Sequence, residues 1–260
     1  MNLTIIFTGT GTSQGIPVIG CSCPVCTSTD PRDQRTRTSA HLIADSLHLQ
    51  IDIGADFRQQ MLRHHIRQLD AVLLTHEHMD HLAGIDDLRP LIFIQGKPMP
   101  LYGSDQTLQA VQRQFPYAFA APQNRYPGAP ELTPCLIDEQ RPFTIGQLTI
   151  TPLPVLHGQW PVLGFRIGDF SYITDANHIP PQTLRLLTGT RYLVLNALRH
   201  KPHYSHFTLE EAITIARQVH AEHTYFTHIS HDLGLHAQVE STLPPGMHLA
   251  YDGLTLHIPH

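Results

Sequence analysis

Three histidines and an aspartate fall within six residues of Thr75-His76-Glu77-His78-Met79-Asp80-His81, directly after the short apolar run Ala71 to Leu74. No other segment constrains the fold as tightly. The apolar run reads as a buried strand, and a rigid strand that releases a loop is where reactive side chains are usually placed. In extended chain His76 and His78 project to one side, while a turn after Met79 carries Asp80 and His81 toward a second point. Neutral imidazole nitrogens beside a carboxylate that offsets cationic charge are what a hydrolytic divalent centre needs. The alternative is a polar turn whose histidines are satisfied by hydrogen bonds. Glu77 and Met79, at the intervening positions, read as support and packing residues.

The same arrangement, a polar residue at the end of an apolar run, recurs three times. His157 follows Leu153 to Leu156, Asp175 follows a β-prone run ending at Thr174, and His228 follows Tyr225-Phe226-Thr227. Any one of them alone could equally be a capping group or a structural hydrogen-bond partner. Together they suggest a two-ion centre in which Asp175, a carboxylate able to touch both ions, is the bridge.

The surrounding pattern is mixed α/β. Leu3 to Thr8, Leu47 to Ile53, Thr144 to Thr151, Val162 to Ile167, Phe170 to Thr174 and Thr224 to Thr227 read as strands, with Gly168-Asp169 as a tight hairpin turn. Residues 56–65, 104–114 and 209–219 read as helices, the last with Thr208 as its amino-terminal signal. Phe115 to Pro134, rich in proline and aromatic residues, reads as a surface loop or lid. Two β-rich halves covered by outer helices would set the polar residues along a shared edge. No clean linker or repeat divides the 260 residues, which read as one domain.

Composition narrows the partners. Lys plus Arg total 17 against 22 Asp plus Glu, a formal net charge of -5, which leaves no basic surplus for wrapping large nucleic acid. The start MNLTIIFTGTG lacks a basic leader and cleavage site, and no apolar stretch is long enough to span a bilayer, so the expectation is a cytoplasmic protein without a membrane segment. Three of the four cysteines crowd into Cys21, Cys23 and Cys26, a spacing better suited to thiolate coordination than to disulfides. Three thiolates favour structural zinc but leave a closed tetrahedral site one ligand short; metal-free thiols packed in a turn are the alternative.

The amino-terminal TGTGTSQGIPVIGCSCPVC, the THEHMDH segment and the later THISHD segment resemble those of the metallo-β-lactamase-fold hydrolases. The resemblance is strongest to the phosphodiesterase group that includes the phosphonate-pathway enzyme for cyclic ribosyl phosphates, and it spans most of the chain. It implies a four-layer αββα sandwich of the α/β class with the active cleft at the edge of two facing sheets. It also implies His76, His78 and His157 around one ion, Asp80, His81 and His228 around the other, and Asp175 shared; the ions would be zinc or manganese. His231 is implied as the fourth ligand of a structural zinc, and Asp52, in Asp52-Ile53-Gly54-Ala55-Asp56, as a carboxylate that orients a ligating imidazole. The glycine-containing loop Thr8 to Gly15 either cradles an anionic oxygen or simply lets the backbone turn beneath the metals.

Two ions that activate water and polarise an acceptor oxygen suit a small phosphodiester, possibly cyclic, of ribose or a nucleotide. The leaving oxygen then needs a proton donor. His206, in Ser205-His206-Phe207-Thr208-Leu209, resembles the family's general-acid segment, with His200 and His203 as competitors and Arg199 and Lys201 as candidates to hold substrate charge. Thioester or lactone hydrolysis and a non-enzymatic zinc-binding interaction module stand as alternatives, and the aromatic stretch Phe115 to Arg125 could line a cleft, pack internally or support a homodimer.

Overall fold

A computed structural model describes residues 2–259. Its first sheet contains β1 (Asn2–Gly9), β2 (Ser39–Ala44), β3 (Leu47–Ile51), β4 (Ala71–Leu73), β5 (Met99–Gly103), β6 (Leu132–Leu136) and, returning at the end of the chain, β14 (Thr255–Pro259). The second contains β7 (Phe143–Ile145), β8 (Leu148–His157), β9 (Trp160–Ile167), β10 (Phe170–Tyr172), β11 (Tyr192–Asn196), β12 (His223–Thr227) and β13 (Met247–Leu249). The strand orders are β14-β1-β2-β3-β4-β5-β6 and β13-β12-β11-β10-β9-β8-β7. Each sheet is antiparallel on one side and parallel on the other: β3 to β6 run parallel, as do β10 to β13.

The sheets face each other through one apolar layer in which Phe7, Leu42 and Leu49 meet Ile150, Phe165 and Tyr172. Helices α1 (Phe57–Arg63), α2 (Met79–Leu82), α3 (Arg89–Gln95) and α4 (Asp105–Gln114) belong to the first half, and α5 (Pro181–Leu186), α6 (Leu209–Val219) and α7 (His236–Glu240) to the second. Two further apolar clusters lie in these two halves, one including Phe57, Leu88 and Leu108, the other Leu209, Ala212 and Val239. This is the αββα sandwich that the family resemblance implies. The amino terminus of α6 carries a full capping box: the Thr208 hydroxyl accepts from the Glu211 backbone and the Glu211 carboxylate accepts from the Thr208 N–H.

One local expectation needs correction. Thr144 to Thr151 is two strands, β7 and β8, which turn back on each other at Gly146, where φ is +59°. β8 then continues through Pro152 and Pro154, which the sheet tolerates because β7 pairs with β8 only as far as Ile150, so the prolines' side of the strand is an edge. The stretch from Phe115 to Pro134 holds two short 3-10 turns and then enters edge strand β6 at Leu132. Phe115 and Phe119 pack against the apolar cluster of the first half, whereas Tyr117, which donates to Asp86, and Tyr126 are exposed.

The architecture places the polar residues of interest together. Asp52 follows β3, His76 follows β4, His157 ends β8, Asp175 follows β10 and His228 follows β12. Asp52, Asp175 and His228 adopt left-handed backbone with φ of 58°, 53° and 55°. Such conformations are costly for side chains other than glycine and cluster where the surrounding structure fixes a functional group.

Candidate metal centre

The His76 to His81 segment begins as extended chain and turns into the single helical turn α2, with His78 at its N-cap. Close approach of this turn to the end of β3 requires a glycine at 54, since a Cβ there would stand 2.0 Å from the Asp80 carbonyl oxygen. Donor atoms of His76, His78 and His157 lie within 4.8 Å of one another, and so do those of Asp80, His81, Asp175 and His228. His157, Asp175 and His206 form a third such set, so Asp175 stands within reach of both groups.

Neighbouring residues fix which ring nitrogens face the centre. His81 Nδ1 donates to Asp52 Oδ2 at 2.6 Å, and Asp52 also accepts from the Thr75 backbone N–H and hydroxyl at 2.9 and 2.8 Å. With its proton committed to the Asp52 carboxylate, the Thr75 oxygen accepts from His76 Nδ1 at 3.0 Å. His157 Nδ1 donates to the Ser205 carbonyl at 2.8 Å. The Nε2 lone pairs of His81 and His157 are thereby left for the centre, and His76 Nε2 faces His78 Nδ1 at 3.0 Å, so these two rings turn nitrogens toward the same point. His81 Nε2 is buried and lacks a hydrogen-bond partner, although carboxylate oxygens of Asp80 and Asp175 each lie 3.3 Å away.

The electrostatics match a cation site. Burial alone would lower the His81 imidazole, but the carboxylates of Asp80, Asp175 and Asp52 raise it well above the ordinary histidine range. Burial would raise Asp175, yet His228 and His81 hold it well below the usual carboxylate range. Converging carboxylates leave the pocket short of positive charge, and unpartnered imidazole nitrogens point into it; divalent ions supply what both lack. The donor set therefore fits two such ions.

Asp175 Oδ1 lies 3.1 Å from His228 Nε2 and 3.7 Å from His206 Nδ1. The His206 ring is buried, 4.5 Å from His157 and 4.8 Å from His228 between ring centroids. Burial, with His228 beside it, depresses its basicity. Of the competing donors, His203 packs beside His206 at 5.0 Å, whereas His200 pairs with Glu210 at 2.9 Å. Arg199 reaches Asp232 at 3.5 Å and donates to the carbonyls of Lys201 and Pro202.

The cysteines form a second, separate cluster. The sulfurs of Cys21, Cys23 and Cys26 lie 3.4, 3.4 and 3.6 Å from His231 Nδ1. A backbone N–H from Cys26 and the neighbouring His231 lower the Cys23 thiol to about 6, whereas burial raises Cys26 to about 11. Three sulfurs around one imidazole nitrogen fit a tetrahedral zinc. Early and late loops meet here: Thr12 N donates to the Ile229 carbonyl at 3.0 Å and Ile229 N to the Thr10 carbonyl at 2.9 Å. The amides of Gly11, Thr12 and Gly15 are bonded to backbone carbonyls, so these parts of the glycine-containing loop turn the chain. Cys135, half-buried on β6, lies outside both clusters.

Sequence reasoning missed several supporting groups. Thr75 and the Ser205 carbonyl orient ligating rings, but neither residue type carries a signal at those positions. Glu77 does act as support, accepting from Trp160 Nε1 and Gln106 Nε2, both at 2.5 Å, whereas Met79 is exposed rather than packed. Buried Arg35 donates to the Thr10 hydroxyl, the Ala250 carbonyl and His236 Nδ1, and Asp252 accepts from Thr10 and Thr36, which together anchor the early loop.

Comparison with known proteins agrees with this geometry. Residues 49–229 match the model of the Beta-lactamase superfamily domain. A solved structure described as a new diphosphatase from the PhnP family is 40% identical with a TM-score of 0.93, covering 99% of this chain and 98% of that one. Zinc-bound PqqB from Methylobacterium extorquens, at 19% identity and a TM-score of 0.78 over 97% of this chain and 99% of that one, shares the fold. An octanoyltransferase of Porphyromonas gingivalis is 41% identical over 251 residues, 96% of this chain and 50% of that protein. The chain thus spans about half the length, or less, of the curated relatives that it matches.

Proposed function

Because the chain belongs to the PhnP family of metallo-β-lactamase-fold hydrolases, we propose that it is a binuclear metal-dependent phosphodiesterase acting on a small, ribose- or nucleotide-type phosphodiester, cyclic or open. The observation that carries this reading is the adjacency of two donor sets, which Asp175, a member of the second, joins through its closeness to His157 of the first. His76, His78 and His157 would hold one ion, Asp80, His81 and His228 the other, with Asp175 between them. Divalent ions held there, zinc or manganese, would supply a water of lowered pKa and neutralise charge on a phosphoryl oxygen.

The chain's own residues do the rest. Asp52 holds His81 in the tautomer that presents Nε2, and Thr75 does the same for His76. Ser205 fixes the His157 ring and, through the adjoining backbone, sets the position of His206. His206, beside Asp175, is assigned to protonate the departing alkoxide, which general-acid catalysis requires of a poor leaving group; the anionic phosphate of a bound substrate would add to the Asp175 carboxylate in offsetting the burial that depresses its basicity. The Cys21, Cys23, Cys26 and His231 set is assigned to a structural zinc that ties the early loop to the late one within a single domain. No helix among the described residues is long and apolar enough to cross a membrane.

One observation favours a second reading. The acyl-transfer name of the Porphyromonas relative keeps thioester hydrolysis in view, although half of that protein lies outside the match. Metal-loaded protein assayed in parallel on bis(4-nitrophenyl) phosphate and on an acyl thioester separates the two. Phosphodiester turnover is expected to dominate; thioester turnover alone would overturn the assignment.

A further inference from the structure

A cleft of about 520 Å³ opens beside His78 and His157, with Trp160 and Tyr204 in its walls. Both aromatic residues leave much of their surface open, 48% for Trp160 and 82% for Tyr204. Large rings are usually buried, and exposed ones beside a reactive centre point to contact with a ligand.

The Trp160 ring and the backbone that carries Tyr204 are also held in place before anything binds. Trp160 Nε1 donates to Glu77, the residue between His76 and His78, at 2.5 Å. Asn177 donates to the Tyr204 carbonyl at 3.1 Å and accepts from the Gly158 N–H at 2.7 Å, which fastens the Tyr204 loop to the β8–β9 turn. The Tyr204 ring lies 4.7 Å from that of His203, and a Cβ at Gly158 would meet Tyr204 Cδ2 at 4.0 Å. A ring fixed as Trp160 is loses little freedom on binding, so its contact surface converts efficiently into affinity.

Among the described residues lining the cleft, none is a lysine or arginine; Gln159, exposed at the rim, offers only a neutral amide. A second phosphate would find no cation here. A neutral planar ring would find two π-faces and an amide able to donate and accept.

From this we propose that the cleft binds the nucleobase of a nucleotide-type phosphodiester, with Trp160 and Tyr204 as its stacking surfaces. The inference rests on the phosphodiesterase reading for placing the phosphate, and it selects a nucleoside-bearing substrate over a bare ribose phosphate.

Trp160 is the only tryptophan in the sequence, so tryptophan fluorescence reports on the cleft directly. Metal-loaded protein is titrated with adenosine 5′-monophosphate and with ribose 5-phosphate. The nucleotide should quench the emission saturably and bind about 10-fold more tightly than the sugar phosphate, a difference within the range of base–aromatic stacking. Tyr204→Ala should weaken nucleotide binding about 10-fold with metal content unchanged, and Tyr204→Phe should restore it. Equal affinity for the two ligands, or unchanged nucleotide affinity in Tyr204→Ala, overturns the proposal. The same preparations are assayed on bis(4-nitrophenyl) phosphate: turnover without nucleotide preference sinks the base site alone. Nucleotide preference without phosphodiester turnover sinks the phosphodiesterase reading and leaves the base site standing.

Discussion

The His76–His81 centre and the cysteine cluster are both sets of metal-type donors, yet the chain builds them in opposite ways. The first is assembled from the ends of strands in both sheets. Its rings are oriented by Asp52, Thr75 and the Ser205 carbonyl, and His76, His81, Asp175 and His228 are buried. The second sits on loops, with all four donors only half-buried: the three cysteines lie in a segment from Gly11 to Asp30 that holds turns and isolated bridges but no strand or helix, and His231 opens a single 3-10 turn on the late loop. A site whose geometry is fixed by hydrogen bonds and packing keeps its shape without metal, so its ions contribute mainly to chemistry. A site on loops draws its order from the ion, whose binding energy then becomes folding energy. The comparison therefore predicts that damage to the two clusters separates activity from stability.

The largest effect is expected at the shared carboxylate. Asp175→Ala should reduce phosphodiester turnover by about 1000-fold, since several kcal/mol of charge stabilisation depend on the ion pair. Thermal unfolding should move by far less than in a cysteine variant. Normal turnover in steady-state assays of the purified variant would remove Asp175 from its assigned position.

Next is His206→Ala, measured over a series of phosphodiesters with progressively poorer leaving groups. About 100-fold loss is expected for poor alkoxide leaving groups and less for activated aryl esters, which need little proton donation. Equal slowing across the series would instead indicate a positioning role or a direct role in holding an ion, which its place near His157 and Asp175 permits geometrically.

Cys23→Ala reverses the balance. The midpoint of thermal unfolding should fall by about 10 °C, as a loss of a few kcal/mol produces in a domain of this size, while turnover per folded molecule falls less than about tenfold. Unchanged thermal stability by calorimetry would end the structural assignment.

The smallest effect lies outside both clusters. His41 is fully buried, bonded to Gln50 Oε1 and His48 Nδ1 at 3.0 Å each, and burial lowers it to about 4 from an ordinary 6.5. The unfolded chain binds the proton first as pH falls, so the stabilising contribution of neutral His41 is complete above pH 6.5. It is lost as pH drops toward 4, at up to about 1.4 kcal/mol per pH unit. Urea midpoints between pH 7 and 4.5 should show a shallower pH dependence in a folded His41→Gln variant; an unchanged slope would contradict this.

The sequence disclosed the donors better than their supports. His76 to His81, His157, Asp175 and His228 were legible because each follows a β-prone run, and strand ends are where both sheets deliver side chains. Asp52 was legible only through family resemblance. Thr75 and Ser205 were not, because a threonine hydroxyl and a main-chain carbonyl look the same in any sequence. The left-handed backbone at Asp52, Asp175 and His228 left no trace either, since no glycine marks it. In the fold, β2 was missed because Ser39 to Ala44 is buried on both faces and includes His41, which hides the alternation of a half-buried strand. The prolines of β8 concealed its length, and the resemblance between Trp160 and an ordinary surface residue concealed the cleft wall.

The central claim, that one cluster serves chemistry and the other folding, is tested most directly by counting metal in three proteins purified without chelators and reconstituted identically. Wild type should hold three equivalents per chain. Asp175→Ala should lose catalytic metal while keeping the structural zinc and nearly all of its thermal stability, and Cys23→Ala should lose one equivalent together with stability. Unchanged metal content in Cys23→Ala, or an Asp175→Ala protein that keeps all three equivalents and full turnover, would contradict the account.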